Sequence, residues 1–204
     1  MSGLWLVRHG ALPPNPERRF VGARDLPLSE AGRAQIRGLA RDFAPVLKSG
    51  ALAAVLSSDL ERCRETAAII ATAAAWAAGA EGKGTTAATS VPLHADADLR
   101  EINLGSWQGL TPQEVRQAFP GQYERRGKDP ARFRPPGGES FADVQRRALA
   151  ALARWRARYP EGQLLLAGHA GLNRTLLARY LALPLSEALR IPQPYACRAF
   201  LPGW

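Results

Sequence analysis

Short apolar runs alternate with longer amphipathic stretches along the chain, and this alternation constrains the fold more than any other feature. The apolar runs predict strands at residues 3–7, 53–57, 91–94, 163–167 and 196–201. Between them, apolar residues recur at helical spacing, as in Ile36, Leu39, Phe43 and Leu47. Strands that alternate with helices predict an α/β fold, a three-layer sandwich in which a mostly parallel central sheet carries helices on both faces.

Polar residues ahead of the amphipathic stretches predict where helices begin. Ser29 precedes the first stretch as a helix cap, and Ser140 with Asp143 predicts a second cap. Ser58 and Glu61 match the Ser-x-x-Glu pattern of a capping box, which places a helix start at about residue 59. Residues 71–90 are rich in Ala, Gly and Thr and predict a helix end followed by a flexible loop.

The length of 204 residues is enough for one sizeable core and predicts one domain over residues 1–204. Gly and Pro residues concentrate between residues 100 and 138, which predicts an inserted region with short helices. The apolar stretches are shorter than the ~20 residues of a membrane span, and no signal peptide is evident. Two distant cysteines, Cys63 and Cys197, favour free thiols and a cytoplasmic location.

The formal net charge of +9 is compatible with a nucleic-acid partner or an anionic substrate. Most arginines occur singly or in pairs within helix-like segments, and the sequence contains no Lys/Arg-rich run or basic tail. This distribution favours a solvated basic surface and argues against nucleic acid.

Two histidines directly follow apolar strands, His9 after the first and His169 after the fourth. In parallel sheets ligands bind beyond the carboxyl ends of the strands, so both histidines are expected at one edge. Gly10 and Gly171 follow them and permit close backbone approach to a ligand. Arg62 lies in the first turns of a predicted helix. Arginines, histidines and helix N-termini together favour a phosphoryl group, whose oxygens accept bidentate hydrogen bonds.

Several sequence blocks occur in the order found in a known family. They are Arg8-His9-Gly10, Asn15, Arg19-Phe20-Val21-Gly22, Pro27-Leu28-Ser29-Glu30-Ala31-Gly32, Ser57-Ser58-Asp59-Leu60-Glu61-Arg62, Thr66-Ala67, Leu99-Arg100-Glu101-Ile102, Gly105-Ser106-Trp107, Gly109, Gly137-Gly138-Glu139-Ser140 and Gly168-His169. Through these blocks the chain resembles the histidine phosphatase superfamily, in its phosphoglycerate mutase-like branch. The resemblance covers most of residues 4–180, and its ordered set of motifs is far more specific than a lone Arg-His-Gly.

The resemblance implies a role for each matching residue. His9 would be the nucleophile that forms a phosphohistidine, with its second ring nitrogen held by an acceptor. Arg8, Arg62 and His169 would bind the phosphoryl oxygens, and Glu101 would protonate the leaving oxygen and then activate water. No metal or other cofactor takes part in this scheme.

Further substrate contacts are implied at Asn15, Gly22 and the backbone amide of Ala170. One departure from the family pattern lies directly after the Arg-His-Gly motif. Ala11 and Leu12 stand where the family commonly has an acidic residue and a hydroxyl residue. This difference bears on substrate preference more than on the chemistry.

The leading hypothesis is a phosphatase for a small phosphorylated metabolite, with α-ribazole 5′-phosphate or a sugar phosphate as candidates. A phosphoglycerate mutase is the first alternative, although residues 121–138 do not resemble the longer mutase insertion. A non-catalytic binding protein of the same fold is the second. With three histidines and no HxH or HExxH spacing, a zinc site is not expected. His94 is expected to be structural, and the oligomeric state stays open.

Overall fold

The strands assemble into a five-stranded sheet in a computed structural model that describes residues 2–77 and 91–204. They are β1 (Gly3–Arg8), β2 (Leu52–Ser57), β3 (Leu93–Ala95), β4 (Gln163–Gly168) and β5 (Arg198–Pro202). The order across the sheet is β3-β2-β4-β1-β5, with β5 antiparallel to β1 and the other pairs parallel. The predicted mostly parallel sheet is confirmed. The loop predicted from about Gly79 lies outside the described residues.

Helices fill most of the connections between the strands. They are α1 (Glu30–Asp42), α2 (Ala44–Lys48), α3 (Glu61–Ala77), α4 (Pro112–Ala118), α5 (Gln122–Lys128), α6 (Phe141–Arg158) and α7 (Ala170–Tyr180). The single helix predicted through Leu47 is divided at Phe43, because Pro45 in the first turn of α2 has no N–H to continue the hydrogen bonding of α1.

Both faces of the sheet are covered, which confirms the predicted three layers. Leu6 and Leu166 belong to a core shared with α6 and α7, whereas Val7 and Leu165 belong to a second core shared with α1, α2 and α3. Successive side chains of a strand point to opposite faces, so a strand buried on both sides reads as a continuous apolar run. This burial explains why the central strands are the clearest signal in the sequence.

The helix caps follow the sequence at two of the three predicted positions. Ser29 accepts a hydrogen bond from the N–H of Gly32 at 3.0 Å, and Ser140 and Asp143 form a complete capping box. The capping box predicted at Ser58 is wrong. α3 begins at Glu61, whose N–H donates to Asp25 instead, and the Ser58 hydroxyl lies 2.7 Å from Nε2 of His169.

The region between residues 100 and 138 contains a 3₁₀ turn at Gly105–Trp107 and the short helices α4 and α5. Trp107 is fully buried there and packs against the rings of Phe20, Tyr123 and Phe133, with centroid distances of 5.8, 6.2 and 5.6 Å. Through this aromatic cluster α5 packs against the core that α6 and α7 share with the sheet.

Candidate active site

The carboxyl ends of β1 and β4 bring the two predicted histidines together. Arg8 pairs with Gly168 at the last position of the two strands, and the His9 N–H donates to the Gly168 carbonyl at 3.0 Å. The imidazole rings of His9 and His169 lie with their centroids 5.3 Å apart. β2 lies on the other side of β4, so Ser58 at its end reaches the same place.

His9 is held in one tautomer. Its Nδ1 lies 2.8 Å from the carbonyl oxygen of Gly10, which can only accept, so the proton is on Nδ1 and the lone pair is on Nε2. Burial, with a smaller effect from the positive charges of Arg62 and Arg8, lowers the pKa of His9 to about 3 against the opposing effect of the Gly10 hydrogen bond. The ring is therefore neutral at physiological pH, with Nε2 available as a nucleophile.

His169 is fully buried, and both of its ring nitrogens have protein neighbours. Arg62 Nε donates to its Nδ1 at 3.3 Å, which places the proton on Nε2, where it points to Ser58 Oγ at 2.7 Å. The Cys63 sulfur lies 3.3 Å from the same nitrogen. Burial, followed by the charge of Arg62, holds the pKa of His169 well below its usual range. The sequence analysis assigned Ser58 to a cap and missed this contact.

Arg62 is a fully buried cation without a carboxylate partner in the described residues. Its Nη1 donates to the carbonyl of Arg24 at 2.7 Å, and its Nη2 donates to the carbonyl of Gly22 at 2.9 Å. Gly22, a predicted substrate contact, thus has its carbonyl turned to this arginine. A guanidinium carries five N–H groups, so each terminal nitrogen keeps a second hydrogen for a ligand.

Arg8 directly precedes His9 in the chain and is oriented by the segment that leads into β5. Its Nη1 donates to the carbonyl of Gln193, and its Cζ lies 3.9 Å from the centroid of the Tyr195 ring. Arg8 Nε is buried and finds no hydrogen-bond acceptor in the part of the chain that the structure describes. Tyr195, whose ring is also 5.6 Å from that of His9, was not identified from the sequence.

The Glu101 carboxylate lies at the N-terminus of α7, the helix that begins directly after His169 in the chain. Its Oε1 accepts from the N–H groups of Ile102 at 2.9 Å and Leu172 at 3.1 Å, and its Oε2 accepts from Gly171 at 3.0 Å. The helix terminus that the sequence predicted to attract an anion therefore holds this carboxylate. A Cβ at Gly171 would collide with Oε1, so the glycine makes room for Glu101.

A partly buried ion pair fixes the segment that carries Glu101. Arg147 of α6 donates to both oxygens of Glu139 at 2.8 and 3.0 Å, and to the backbone carbonyls of Asp98 and Glu101 at 2.7 and 3.1 Å. Glu139 also accepts from the N–H of Asn103 at 2.9 Å. The sequence analysis noted Glu139 within a motif and assigned it no role, because its partners lie on other elements.

The remaining predicted residues have mainly local contacts. Asn15 is exposed, and its side chain bonds the backbone N–H and carbonyl of Arg19 at 2.9 and 2.8 Å. Ala170 is the first residue of α7. Ala11 bonds Gln35 and Ser29 through its backbone, and Leu12 packs beside the second core.

The third histidine lies apart from this site. His94 Nε2 is 2.7 Å from the Tyr159 hydroxyl, and its ring stacks on Trp155 with centroids 4.6 Å apart. Within residues 2–77 and 91–204, no cluster of three or more His, Cys, Asp or Glu residues could hold a metal ion. No helix in the same residues combines the length and apolar character needed to cross a membrane.

Comparison with known proteins decides the family. The model of the histidine phosphatase superfamily (branch 1) matches residues 4–201. The chain belongs to this superfamily. A glucosyl-3-phosphoglycerate phosphatase of Mycolicibacterium vanbaalenii is 33% identical over 191 residues, which cover 90% of this chain and 76% of that protein. The histidine phosphatase described here is thus similar to a protein named for its hydrolytic activity.

Solved structures agree with the fold of this histidine phosphatase. YhfR of Bacillus stearothermophilus matches with a TM-score of 0.81 and 31% identity, over 98% of this chain and 90% of that one. A structure described as a putative α-ribazole-5′-phosphate phosphatase of Escherichia coli matches with a TM-score of 0.76 over 98% of this chain and 89% of that one. Its 23% identity supports the fold alone. The chain is therefore a phosphatase with a phosphoglycerate mutase-like fold.

Proposed function

We propose that this phosphatase hydrolyses the phosphomonoester of a small metabolite through a phosphohistidine on His9. The observation that carries the proposal is the pairing of a neutral His9, whose Nε2 holds a free lone pair, with Arg62, a buried cation without a carboxylate partner in the described residues. A buried charge needs compensation, and a phosphate dianion supplies it beside the nucleophile.

In the first step, His9 Nε2 attacks phosphorus while the bond from phosphorus to the ester oxygen breaks. Arg8 and Arg62 stabilise the charge on the phosphoryl oxygens. His169, whose N–H points to Ser58, acts on the phosphoryl group through Arg62, which it orients by accepting the Nε hydrogen bond on Nδ1. Glu101 protonates the departing oxygen. Since Oε1 accepts two N–H groups and Oε2 accepts one, Oε2 retains the lone pair that can carry this proton.

In the second step, water attacks the phosphorus of phosphohistidine and the N–P bond breaks. The Glu101 carboxylate, deprotonated by the first step, takes the proton from water and regains its starting form. The products are inorganic phosphate and a neutral His9, still bonded through Nδ1–H to the Gly10 carbonyl. Asn15 and the amide of Ala170 are further proposed donors to the substrate.

The proposed substrate is a class of small phosphomonoesters, not one particular metabolite. Glucosyl-3-phosphoglycerate, α-ribazole 5′-phosphate and sugar phosphates are the candidates, the first from the name of a relative. The mutase alternative uses the same phosphohistidine and passes the phosphoryl group to a second hydroxyl, so the products distinguish the two.

We further propose a cytoplasmic location, which two free cysteines in the described residues support, and no role in nucleic-acid binding.

A trapping experiment tests the proposal. Brief incubation with a ³²P-labelled phosphomonoester, followed by denaturation, should leave an acid-labile and base-stable label on the wild-type protein. His9→Ala should take up no label and lose turnover while still folding, as circular dichroism can check. His94→Gln, at a histidine outside the site, should label normally. Release of inorganic phosphate supports the phosphatase, whereas a rearranged phosphate ester supports the mutase. Label retained by folded His9→Ala would refute the nucleophile.

A further inference from the structure

The loop that leads into β5 places an aromatic ring against Arg8. The Cζ atom of Arg8 lies 3.9 Å from the centroid of the Tyr195 ring, and the same ring lies 5.6 Å from that of His9, centroid to centroid. The Arg8 N–H donates to the Cys197 carbonyl at 3.0 Å. The Ala196 N–H donates to the His9 carbonyl at 3.2 Å. Backbone hydrogen bonds of the two residues after Tyr195 therefore fix the loop to the end of β1.

Burial of apolar surface does not account for the position of this ring. Tyr195 stays 39% exposed, and its hydroxyl has no hydrogen-bond partner in the part of the chain that the structure describes. Ala196, the next residue, has a φ of 55°, a left-handed conformation that is unfavourable for a residue with a Cβ. A strained backbone beside a half-exposed ring indicates that the ring is placed for a particular contact.

The contact with the ring compensates the charge of Arg8 in a way that a carboxylate cannot. Arg19 shows the usual arrangement, because its three nitrogens all donate to the carboxylates of Glu17 and Glu114. Within residues 2–77 and 91–204, Arg8 has no carboxylate partner. An aromatic ring attracts a cation through its electron-rich face, whereas a guanidinium donates its hydrogen bonds in its own plane. Tyr195 can therefore stabilise the cation without occupying any of its N–H groups.

The donors that remain on Arg8 suit a phosphoryl group. Its Nη1 is bonded to the carbonyl of Gln193, which leaves Nε–H and Nη2–H as two adjacent donors on one edge of the guanidinium. Nε is buried, and neither Nε nor Nη2 meets an acceptor among the described residues. Two such donors bind two oxygens of one phosphate in parallel, provided that the plane of the guanidinium is fixed.

We propose that Tyr195 is a positioning residue for catalysis, whose ring holds the plane of the Arg8 guanidinium so that Nε and Nη2 are directed at the phosphoryl group before the substrate binds. The inference rests on the proposed function, because it concerns Arg8 as a ligand of the phosphoryl oxygens. A donor pair that is already oriented needs no reorganisation in the transition state. The contribution of Tyr195 thus depends on its π electrons and not on its hydroxyl.

Substitutions of Tyr195 separate the ring from the hydroxyl, with p-nitrophenyl phosphate as the substrate. Tyr195→Phe should keep kcat/KM within about twofold of the wild type, since the aromatic face remains. Tyr195→Leu should lower kcat/KM by about 5–30-fold, the size of a cation–π contact at a partly buried site. If the Phe variant loses as much as the Leu variant, or if folded Tyr195→Leu keeps the wild-type value, the proposal is overturned.

Tyr180→Leu is the matched control. Tyr180 is 37% exposed, close to the value for Tyr195, and its hydroxyl donates to the Pro202 carbonyl at 3.1 Å. It is the last residue of α7, whereas His169 precedes the first. The substitution removes a half-exposed tyrosine ring without touching Arg8, so kcat/KM should stay at the wild-type value. An equal loss in Tyr180→Leu would show that the effect at Tyr195 is not specific to the site.

Fluorinated phenylalanines at position 195 distinguish the proposed role from packing. Fluorine withdraws electron density from the face of the ring and changes its size only slightly. We expect kcat/KM to fall stepwise from phenylalanine through 4-fluoro- and 3,5-difluorophenylalanine to pentafluorophenylalanine, which should approach the value of Tyr195→Leu. A flat series would overturn the proposal. The series also decides the question if Tyr195→Leu does not fold, because every member keeps an aromatic ring.

The wild-type protein separates this inference from the proposed function. If it hydrolyses p-nitrophenyl phosphate and forms phosphohistidine while the fluorinated series is flat, the role of Tyr195 fails and the phosphatase mechanism stands. If the wild type neither hydrolyses a phosphomonoester nor forms phosphohistidine, the proposed function itself fails.

Discussion

At the scale of single residues, Glu101 is the group on which both proposed half-reactions depend. Its carboxylate accepts three backbone N–H groups and is held at the start of α7, unlike a solvated carboxylate in a loop. These hydrogen bonds fix the orientation of both oxygens, so the proton donor needs no reorganisation during the reaction. The residue therefore has the rigid position that a general acid requires, and its contribution can be measured through the leaving group.

We expect Glu101→Gln to lower kcat/KM on a sugar phosphate by ~10²–10⁴, the range typical of general acid–base catalysis. An alkoxide leaves poorly without a proton, whereas nitrophenolate leaves well unaided. The loss on p-nitrophenyl phosphate should therefore be much smaller, provided that phosphorylation of His9 limits the rate. Equal losses on both substrates would assign Glu101 to orientation or to activation of water, and no loss on either would remove it from the mechanism.

At the scale of elements, the ion pair between Glu139 and Arg147 joins α6 to the segment that carries Glu101. Arg147→Met keeps much of the side-chain volume but removes the charge and the hydrogen bond to the Glu101 carbonyl. We expect a loss of about 1–3 kcal/mol in the free energy of unfolding, because Glu139 is left partly buried and unpaired. We also expect the kcat/KM ratio between alkyl and aryl phosphates to fall, as it does for Glu101→Gln.

Arg134→Met is the matched control for this element. Arg134 also forms an ion pair with α6, through Asp143, but it has an exposed side chain and does not touch the Glu101 segment. Its loss should leave the alkyl-to-aryl ratio at the wild-type value. If Arg147→Met also keeps the wild-type kcat/KM ratio between alkyl and aryl phosphates, the ion pair contributes to stability only.

At the scale of the whole molecule, the two buried histidines make stability depend on pH. The pKa of His9 is lowered to about 3, and that of His169 lies well below 6.5. Below pH ~6.5 the unfolded chain therefore binds protons that the folded protein excludes. The free energy of unfolding should fall as the pH falls from ~6.5 towards 3, by up to ~1.4 kcal/mol per pH unit for each histidine.

Urea denaturation between pH 7 and pH 5, in buffers without phosphate, measures this slope. His9→Gln removes one of the titrating groups. The slope of the unfolding free energy against pH should therefore decrease by the equivalent of about one bound proton. A slope as steep in His9→Gln as in the wild type would contradict the assignment of a buried neutral His9. Catalysis should also show no fall from protonation of free His9 between pH 7 and pH 5, because its pKa lies below that range.

The sequence by itself determined the features that depend on local chemistry. The strands, the caps at Ser29 and Ser140, and the position of His9 at the end of β1 follow from apolar periodicity and from side chains that bond their own neighbours. Arg62 and Glu101 were identified as candidates through motifs that match a family register. None of this information requires knowledge of which strand lies beside which.

Tertiary structure alone decided the contacts between distant segments. The placement of β4 between β1 and β2 brings Ser58 to His169 across 111 residues of chain. Ser58, which the local sequence predicts to cap a helix, therefore contacts the active-site histidine instead. The return of the chain into β5 places Tyr195 over Arg8. Local patterns specify which face of an element is apolar, but strand order and packing specify its neighbours, and charges act through those neighbours.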